Sequence, residues 1–132
     1  MRVLFFGTPD YTRDYLDGIA AAHDVCGVVT APDRAAGRGL ARKSPAPARW
    51  ARERGIPLFQ PEKSGDPAFA AAVRELAADA GLIIAYGKII PATVYTLPAA
   101  GCFNLHFSLL PRWRGASPIE SALLAGDRTS GL

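Results

Sequence analysis

Asn104, His106 and Ser108 alternate with Phe103, Leu105 and Phe107 in the stretch Gly-Cys-Phe-Asn-Leu-His-Phe-Ser-Leu-Leu-Pro-Arg-Trp-Arg-Gly, which runs from Gly101 to Gly115. Read as a strand, that alternation puts the polar side chains on one face and the apolar ones on the other. An Asn amide donates N–H groups, a His donates or carries a proton near neutral pH, and positions i and i+2 lie roughly 6–7 Å apart along a strand. Asn104 and His106 could therefore grip an oxygen on which negative charge develops. The same pattern also fits a strand face that meets solvent or a neighbouring loop. Pro111 has no N–H for a ladder and ends the strand, and a helix is expected from Ala116 to Leu124, with Ile119, Ala122 and Leu123 on its buried side. The polar face thus sits where a strand becomes a loop, the end at which open α/β sheets collect ligands.

The elements that must position this stretch follow from the apolar pattern. Residues 2–6 are a short apolar run closed by Gly7, the signature of a buried central strand. Thr8 as N-cap and Pro9 at the first helical position open a helix from about Asp10 to Ala22, with Tyr11, Tyr15, Leu16 and Ile19 as its apolar face. The turn Gly7-Thr-Pro-Asp lacks the G-x-G-x-x-G pattern, so no NAD or FAD is expected. Further strands are expected at Asp24–Thr30, Pro57–Gln60 and Leu82–Ala85, with helices at Arg49–Arg54, Pro67–Ala80 and Thr93–Leu97. Phe69, Val73 and Leu76 would face inward, and Trp50 reads as core, although an aromatic there could also stack on a base. The order of strands and helices is that of a doubly wound, mostly parallel α/β sheet. After the strand at Leu82, the run Tyr86-Gly87-Lys88-Ile89-Ile90 is either an ordinary turn or the wall of a pocket for a flat ligand, with Gly87 letting the backbone come close.

Between residues 34 and 54 stand Arg34, Arg38, Arg42, Lys43, Arg49, Arg52 and Arg54 against one acid, Glu53. The net charge of the whole chain is only +3, so the clustering says more than the total. Pro32, Gly37, Gly39, Pro45 and Pro47 exclude a regular element over most of Ala31–Pro47. A long basic loop is either a solvated excursion or a phosphate-binding arm, since arginine forks match phosphate oxygens and glycines let the backbone conform.

At 132 residues with 49% hydrophobic content the chain makes one domain with a real core. No apolar run approaches the ~20 residues of a membrane span, and no leader pattern precedes the first strand, which leads to the expectation of a cytoplasmic protein. Cys26 and Cys102 lie in apolar contexts and read as buried thiols, neither a metal site nor a disulfide framework. A monomer is the expected state.

Asn104, His106, the Ser-Leu-Leu-Pro run from Ser108 to Pro111 and the Arg-Gly-Ala-Ser-Pro-Ile run from Arg114 to Ile119 together resemble the folate-dependent formyltransferases. Pro-Arg-Trp-Arg-Gly-Ala is most similar to the methionyl-tRNA branch of that family. The resemblance covers essentially the whole chain, but only the N-terminal part of such an enzyme. It implies a Rossmann-like fold used without a dinucleotide, 10-formyltetrahydrofolate as formyl donor, initiator methionyl-tRNA as acceptor, and no metal. It implies that Asn104 and His106 are catalytic and that Tyr86, Gly87, Ile89, Ser108, Leu109, Leu110 and Pro111 bind the folate. It also implies tRNA contacts from Arg34, Arg38, Arg42 and Lys43, in a loop that formyltransferases acting on small substrates lack. The family's proton-accepting aspartate, in a Leu-Asp-Thr-Gly-Asp motif, has no match here, and Asp127 in Gly-Asp-Arg does not take that role.

The resulting expectation is that residues 1–132 form a partial catalytic domain, truncated before its last strands and without the family's C-terminal tRNA-binding domain. Such a piece carries half an active site and little or no activity alone. Phe107 stands where relatives have a smaller residue or proline, on the side of the strand away from His106. Two other readings stay open: a formyl enzyme acting on a sugar nucleotide, on glycinamide ribonucleotide or on the formyl folate itself by hydrolysis, and a non-catalytic RNA-binding module.

Overall fold

The run Val3 to Phe6 has no polar alternation, and a strand of that kind is stable only with both faces covered. The computed structural model, which describes residues 1–36 and 41–132, provides that cover. In chain order its elements are β1 (Arg2–Gly7), α1 (Thr12–Ala22), β2 (Asp24–Val29), β3 (Arg34–Ala36), β4 (Ala41–Lys43), α2 (Ala46–Glu53), β5 (Leu58–Phe59), α3 (Pro67–Glu75), β6 (Ala80–Ile84), α4 (Ala92–Tyr95), β7 (Cys102–Leu105) and α5 (Pro118–Leu124). One sheet has the order β5-β2-β1-β6-β7, and each of its pairings is parallel. The chain works outward from β1 to β5, returns to the centre, and leaves on the other side through β6 and β7. This is the doubly wound α/β architecture expected, with the change of direction between β1 and β6. None of the described helices is long and apolar enough to cross a membrane.

Alternate side chains of β1 feed two separate apolar layers. Leu4 and Phe6 pack with Cys26, Val29, Phe69 and Val73 on one face; Phe5 packs with Val25, Val28, Leu16 and Trp50 on the other. Trp50 is core as expected: it is 1% exposed, and its indole N–H donates to Asp17 Oδ1 at 2.7 Å. Both cysteines are free thiols, and burial pushes each thiol's pKa up, which keeps them in the unreactive protonated form.

Several boundaries differ from the sequence expectations. Thr8 is not an N-cap. Its hydroxyl is taken up between strands, the first turn is loose, and α1 starts at Thr12. The helix expected to reach Ala80 stops at Glu75, because Ala77 adopts a left-handed φ of 46° and Ala80 already pairs with Val3. The alanine-rich composition carried no signal for that stop. On α5 only Ala122 of the three expected residues is buried; Ile119 and Leu123 are exposed, since among the described residues no strand lies outside β7 for that helix to cover.

The expected irregular loop over 31–47 contains an antiparallel pair, β3 with β4, in which Arg34 lies opposite Lys43. Its two arms are brought together at Asp33. The Ser44 hydroxyl donates to Asp33 Oδ2 at 2.7 Å, Gln60 Nε2 donates to Oδ1 at 2.7 Å, and Arg52 Nη2 donates to Oδ2 at 3.2 Å. Gln60 Nε2 also donates to the Ala31 carbonyl at 2.8 Å, so the hairpin base is tied to the end of β5.

Two predictions follow from this packing. A Cβ on Gly81 would overlap Cys102 Sγ across the β6–β7 ladder and lie 3.3 Å from Cys102 Cβ. Gly81→Ala is expected to cost about 1–3 kcal/mol in urea unfolding, as overpacking does, and Cys102→Ala in the same chain should recover most of it. Unchanged stability in the single variant would contradict the close approach. Asp33 is held below its ordinary pKa chiefly by the Gln60 hydrogen bond, then by the Ser44 bond, with the Arg52 charge adding to both. A depressed folded value stabilises fully above the ordinary value of about 3.9, and the stabilisation is lost as pH falls through the folded value. Asp33→Asn should therefore flatten the loss of stability below about pH 4 that the unaltered chain shows in urea midpoints. Equal acid sensitivity in both chains would rule this out.

Candidate functional site

Where β1 and β6 lie side by side, their following loops part in opposite directions, and a doubly wound sheet offers a crevice at that point. The Thr8 hydroxyl holds the crevice together: it donates to the Tyr86 carbonyl at 2.8 Å and accepts from the Ala31 N–H at 3.3 Å. Three strand ends are thereby joined. Above them is a cavity of about 430 Å³, walled by Thr8 and Pro9 after β1, Pro32 after β2, Arg34 and Lys43 from the hairpin, and Gly87 after β6.

The β6 loop forms one wall because it is locked from behind. The Tyr86 ring is buried edge-on against Phe6 at 5.6 Å, and its hydroxyl lies 3.3 Å from Ser64 Oγ. Burial raises the Tyr86 phenol pKa, so it stays a neutral hydrogen-bonding group. Lys88 Nζ donates to the carbonyls of Pro61 at 2.7 Å and Glu62 at 3.0 Å. Between these anchors Gly87 has φ 80°, which suits glycine, and an added Cβ there would meet no atom within 4 Å. The backbone of the loop is therefore open to a ligand, whereas the Tyr86 side chain is committed to the core.

The second part of the site lies at the end of β7. Asn104 pairs with Ile83 of β6 and has an exposed side chain. The ladder ends at Leu105, so His106 and Ser108 lie beyond the strand that carries Asn104, and the chain bends from Phe107 onward. His106 is half-buried, with Nε2 3.0 Å from the Trp113 carbonyl oxygen. Ser108 is 1% exposed and donates to the Arg112 carbonyl at 2.7 Å, so its hydroxyl shapes the loop it belongs to. Phe107 packs edge-on against Tyr11 at 6.2 Å, away from the loop's polar groups.

The cavity therefore collects Tyr86, Gly87, Arg34 and Lys43, while Asn104, His106 and Ser108 to Pro111 stand at the neighbouring strand end and do not line it. Ile89 is 91% exposed, and Leu109 and Leu110 are exposed as well. The loops after the adjacent parallel strands β6 and β7 thus carry exposed apolar side chains, and the β6 loop also an open glycine backbone, features that suit a flat heterocycle with polar edges. Arg42 lies in β4, and Arg38 lies outside the described residues.

Three of the basic residues flagged in the sequence are internal ties. Arg49 donates to the Ser44 carbonyl, Arg52 bridges Asp33 and Gln60, and Arg54 pairs with Asp17 at 3.2 Å while lying over the Trp50 ring. Lys43 approaches Asp10 at 3.6 Å with both side chains mostly in water, a contact that contributes little and leaves the ammonium usable. Sequence reasoning missed Thr8, Lys88 and Asp127. Thr8 and Tyr86 are 78 positions apart, and no local pattern marks such a pair. Asp127 accepts from Trp113 Nε1 at 2.7 Å and from Arg112 Nη2 at 2.9 Å.

Comparison with known proteins agrees with this architecture. Solved structures with the same fold include glycinamide ribonucleotide transformylase 1 from Symbiobacterium toebii, at 22% identity and TM-score 0.73 over 99% of this chain and 63% of that one. Phosphoribosylglycinamide formyltransferase from Bacillus halodurans gives 18% identity and TM-score 0.76 over 98% of this chain and 68% of that one. Much nearer in sequence is the methionyl-tRNA formyltransferase of Methylobacillus flagellatus, 52% identical over the whole of this chain and 43% of its own length. That of Sorangium cellulosum is 50% identical over the whole chain and 42% of its own length. The chain thus spans less than half the length of these curated relatives. Since the formyl transferase family matches residues 1–132 without interruption, the chain belongs to that family.

Proposed function

We propose that this chain is the N-terminal part of an enzyme that transfers a formyl group from 10-formyltetrahydrofolate to the methionyl amine of initiator tRNA. The observation that carries the reading is the cavity at the β1–β6 crevice, walled by Arg34 and Lys43 and adjacent to the strand end that presents Asn104. An enzyme acting on a small substrate has no use for a basic hairpin at that mouth, whereas an acceptor stem brings a line of phosphates to it. The relatives at about half identity carry the methionyl-tRNA name and support the same choice.

In this reading the Gly87 backbone and the apolar side chains of Ile89, Leu109 and Leu110 receive the folate ring system. The donor supplies an electrophilic formyl carbon: the methionyl nitrogen bonds to it, its bond to N10 breaks, and one proton passes from the amine to N10. Asn104 donates to the formyl oxygen as charge builds on it, an interaction of roughly 2.7–4 kcal/mol for donors of this kind. His106 adds a second polar group at that oxygen or relays the proton. Arg34, Arg38, Arg42 and Lys43 hold phosphates and position the acceptor without reading its sequence. No residue among these 132 takes the part of the family's Leu-Asp-Thr-Gly-Asp aspartate, so the roles assigned here are substrate binding and stabilisation of the formyl oxygen. Cytoplasmic translation initiation is the setting this activity implies.

Titration of initiator tRNA and, separately, of a 10-formyltetrahydrofolate analogue into the purified chain tests the proposal. tRNA affinity is expected to fall linearly on a log scale with salt, and Arg34→Ala or Lys43→Ala should each lower that slope by about 0.7–1. Either substitution should change the affinity for the folate analogue much less than that for tRNA, and without its steep salt dependence. Folate binding without salt-dependent tRNA binding would point to a formyl enzyme of small substrates; tRNA binding without folate binding would point to an RNA module; and either result would overturn the assignment.

A further inference from the structure

Trp113 is bulky and not glycine, yet its φ is 56°, in the left-handed region that such residues avoid. Something must hold it there. Its indole N–H donates to Asp127 Oδ2 at 2.7 Å, and the other carboxylate oxygen, Oδ1, accepts from Arg112 Nη2 at 2.9 Å. The Arg112 guanidinium in turn lies 4.8 Å from the centre of the Trp113 ring, which closes a compact three-residue clamp. The Asp127 side chain is only 16% exposed, and its place just after α5 is set by an N–H bond of 3.0 Å to the Ala122 carbonyl.

The consequence of the clamp falls on His106. In the left-handed conformation the Trp113 carbonyl oxygen reaches His106 Nε2 at 3.0 Å. The preceding carbonyl, of Arg112, is taken by Ser108 Oγ at 2.7 Å, so consecutive carbonyls of this loop are pinned to the segment that follows β7. A carbonyl can only accept, so Nε2 must carry the hydrogen. In the neutral ring the lone pair then rests on Nδ1, which is left as the nitrogen able to exchange a proton with reacting groups.

We propose that Asp127 is a positioning residue that acts through Trp113 to fix His106 in its Nε2-protonated tautomer. Its importance for turnover rests on the role given to His106 above, but the tautomer itself does not depend on formyl transfer. The arrangement is that of a carboxylate orienting an imidazole at one remove, with an indole and a peptide carbonyl between them.

The test is nitrogen-15 NMR of the His106 ring in the purified 132-residue chain, at alkaline pH so that the neutral ring is observed. The unaltered chain should show a single Nε2-protonated ring with a detectable, exchange-protected Nε2–H. Asp127→Leu, which removes both acceptors, and Trp113→Phe, which removes only the indole N–H, should each shift the ring nitrogens toward averaged values and lose the Nε2–H signal. Asp127→Asn keeps an acceptor for the indole and should retain the signal. The spectrum of the core methyl groups reports folding, and Trp113→Phe decides the matter if Asp127→Leu does not fold. An Nδ1-protonated or averaged ring in the unaltered chain, or an unchanged His106 spectrum in a folded Asp127→Leu or Trp113→Phe, overturns the proposal. A chain that binds neither folate nor tRNA yet shows the Asp127-dependent tautomer would sink the functional assignment and leave this inference standing.

Discussion

The Thr8 hydroxyl is the contact on which the site depends. Parallel strands share no tight turn, so nothing in the ladder alone makes their ends finish level or their loops open to the same side. Thr8 supplies that link by donating to the loop after β6 and accepting from the segment after β2. The crevice of the doubly wound sheet is thereby closed at its floor and left open above. Using the hydroxyl this way removes it from helix capping, which is why α1 begins a turn later than the chain's polar punctuation suggests.

Around that floor, the same residue types serve different ends. Arg49, Arg52 and Arg54 look like Arg34 and Lys43 in the sequence, yet they fasten the hairpin base and the α2 flank while the latter two face the cavity. What separates them is the position of acceptors. Asp33 and Gln60 take up Arg52 on one flank of α2, and Asp17 takes up Arg54 at its end. A basic segment is thus part scaffold and part candidate phosphate surface, and only the scaffold part orders the arm that carries the other.

The loop after β7 obeys a similar division. The Ser108 hydroxyl, the Arg112 and Trp113 carbonyls, the Arg112 guanidinium and the Trp113 indole N–H are bonded to one another, to His106 or to Asp127, while Leu109 and Leu110 are exposed. A loop that spends its polar groups internally can hold apolar side chains in water at a fixed place. That is the condition a binding surface needs if ordering costs are not to be met at the moment of binding.

Much of this was legible in one dimension. The unbroken apolar runs of β1 and β2, the amphipathic helices and their order required a parallel sheet covered on both faces, because no other arrangement buries those strands. Asn104 at a strand end and a cluster of arginines in one segment were visible as residue types at a spacing. The tertiary structure decided which of these groups can act. Strand alternation carried the polar face on through His106 and Ser108, but β7 ends at Leu105, and His106 and the buried Ser108 donate to the carbonyls of Trp113 and Arg112, seven and four residues on. The start of α1, the stop of α3 and the pairing of the basic hairpin were likewise set by partners distant in sequence. Periodicity reports which side of an element is apolar; it cannot report where a hydroxyl or a carboxylate finds its partner, because that distance exists only once the chain has folded.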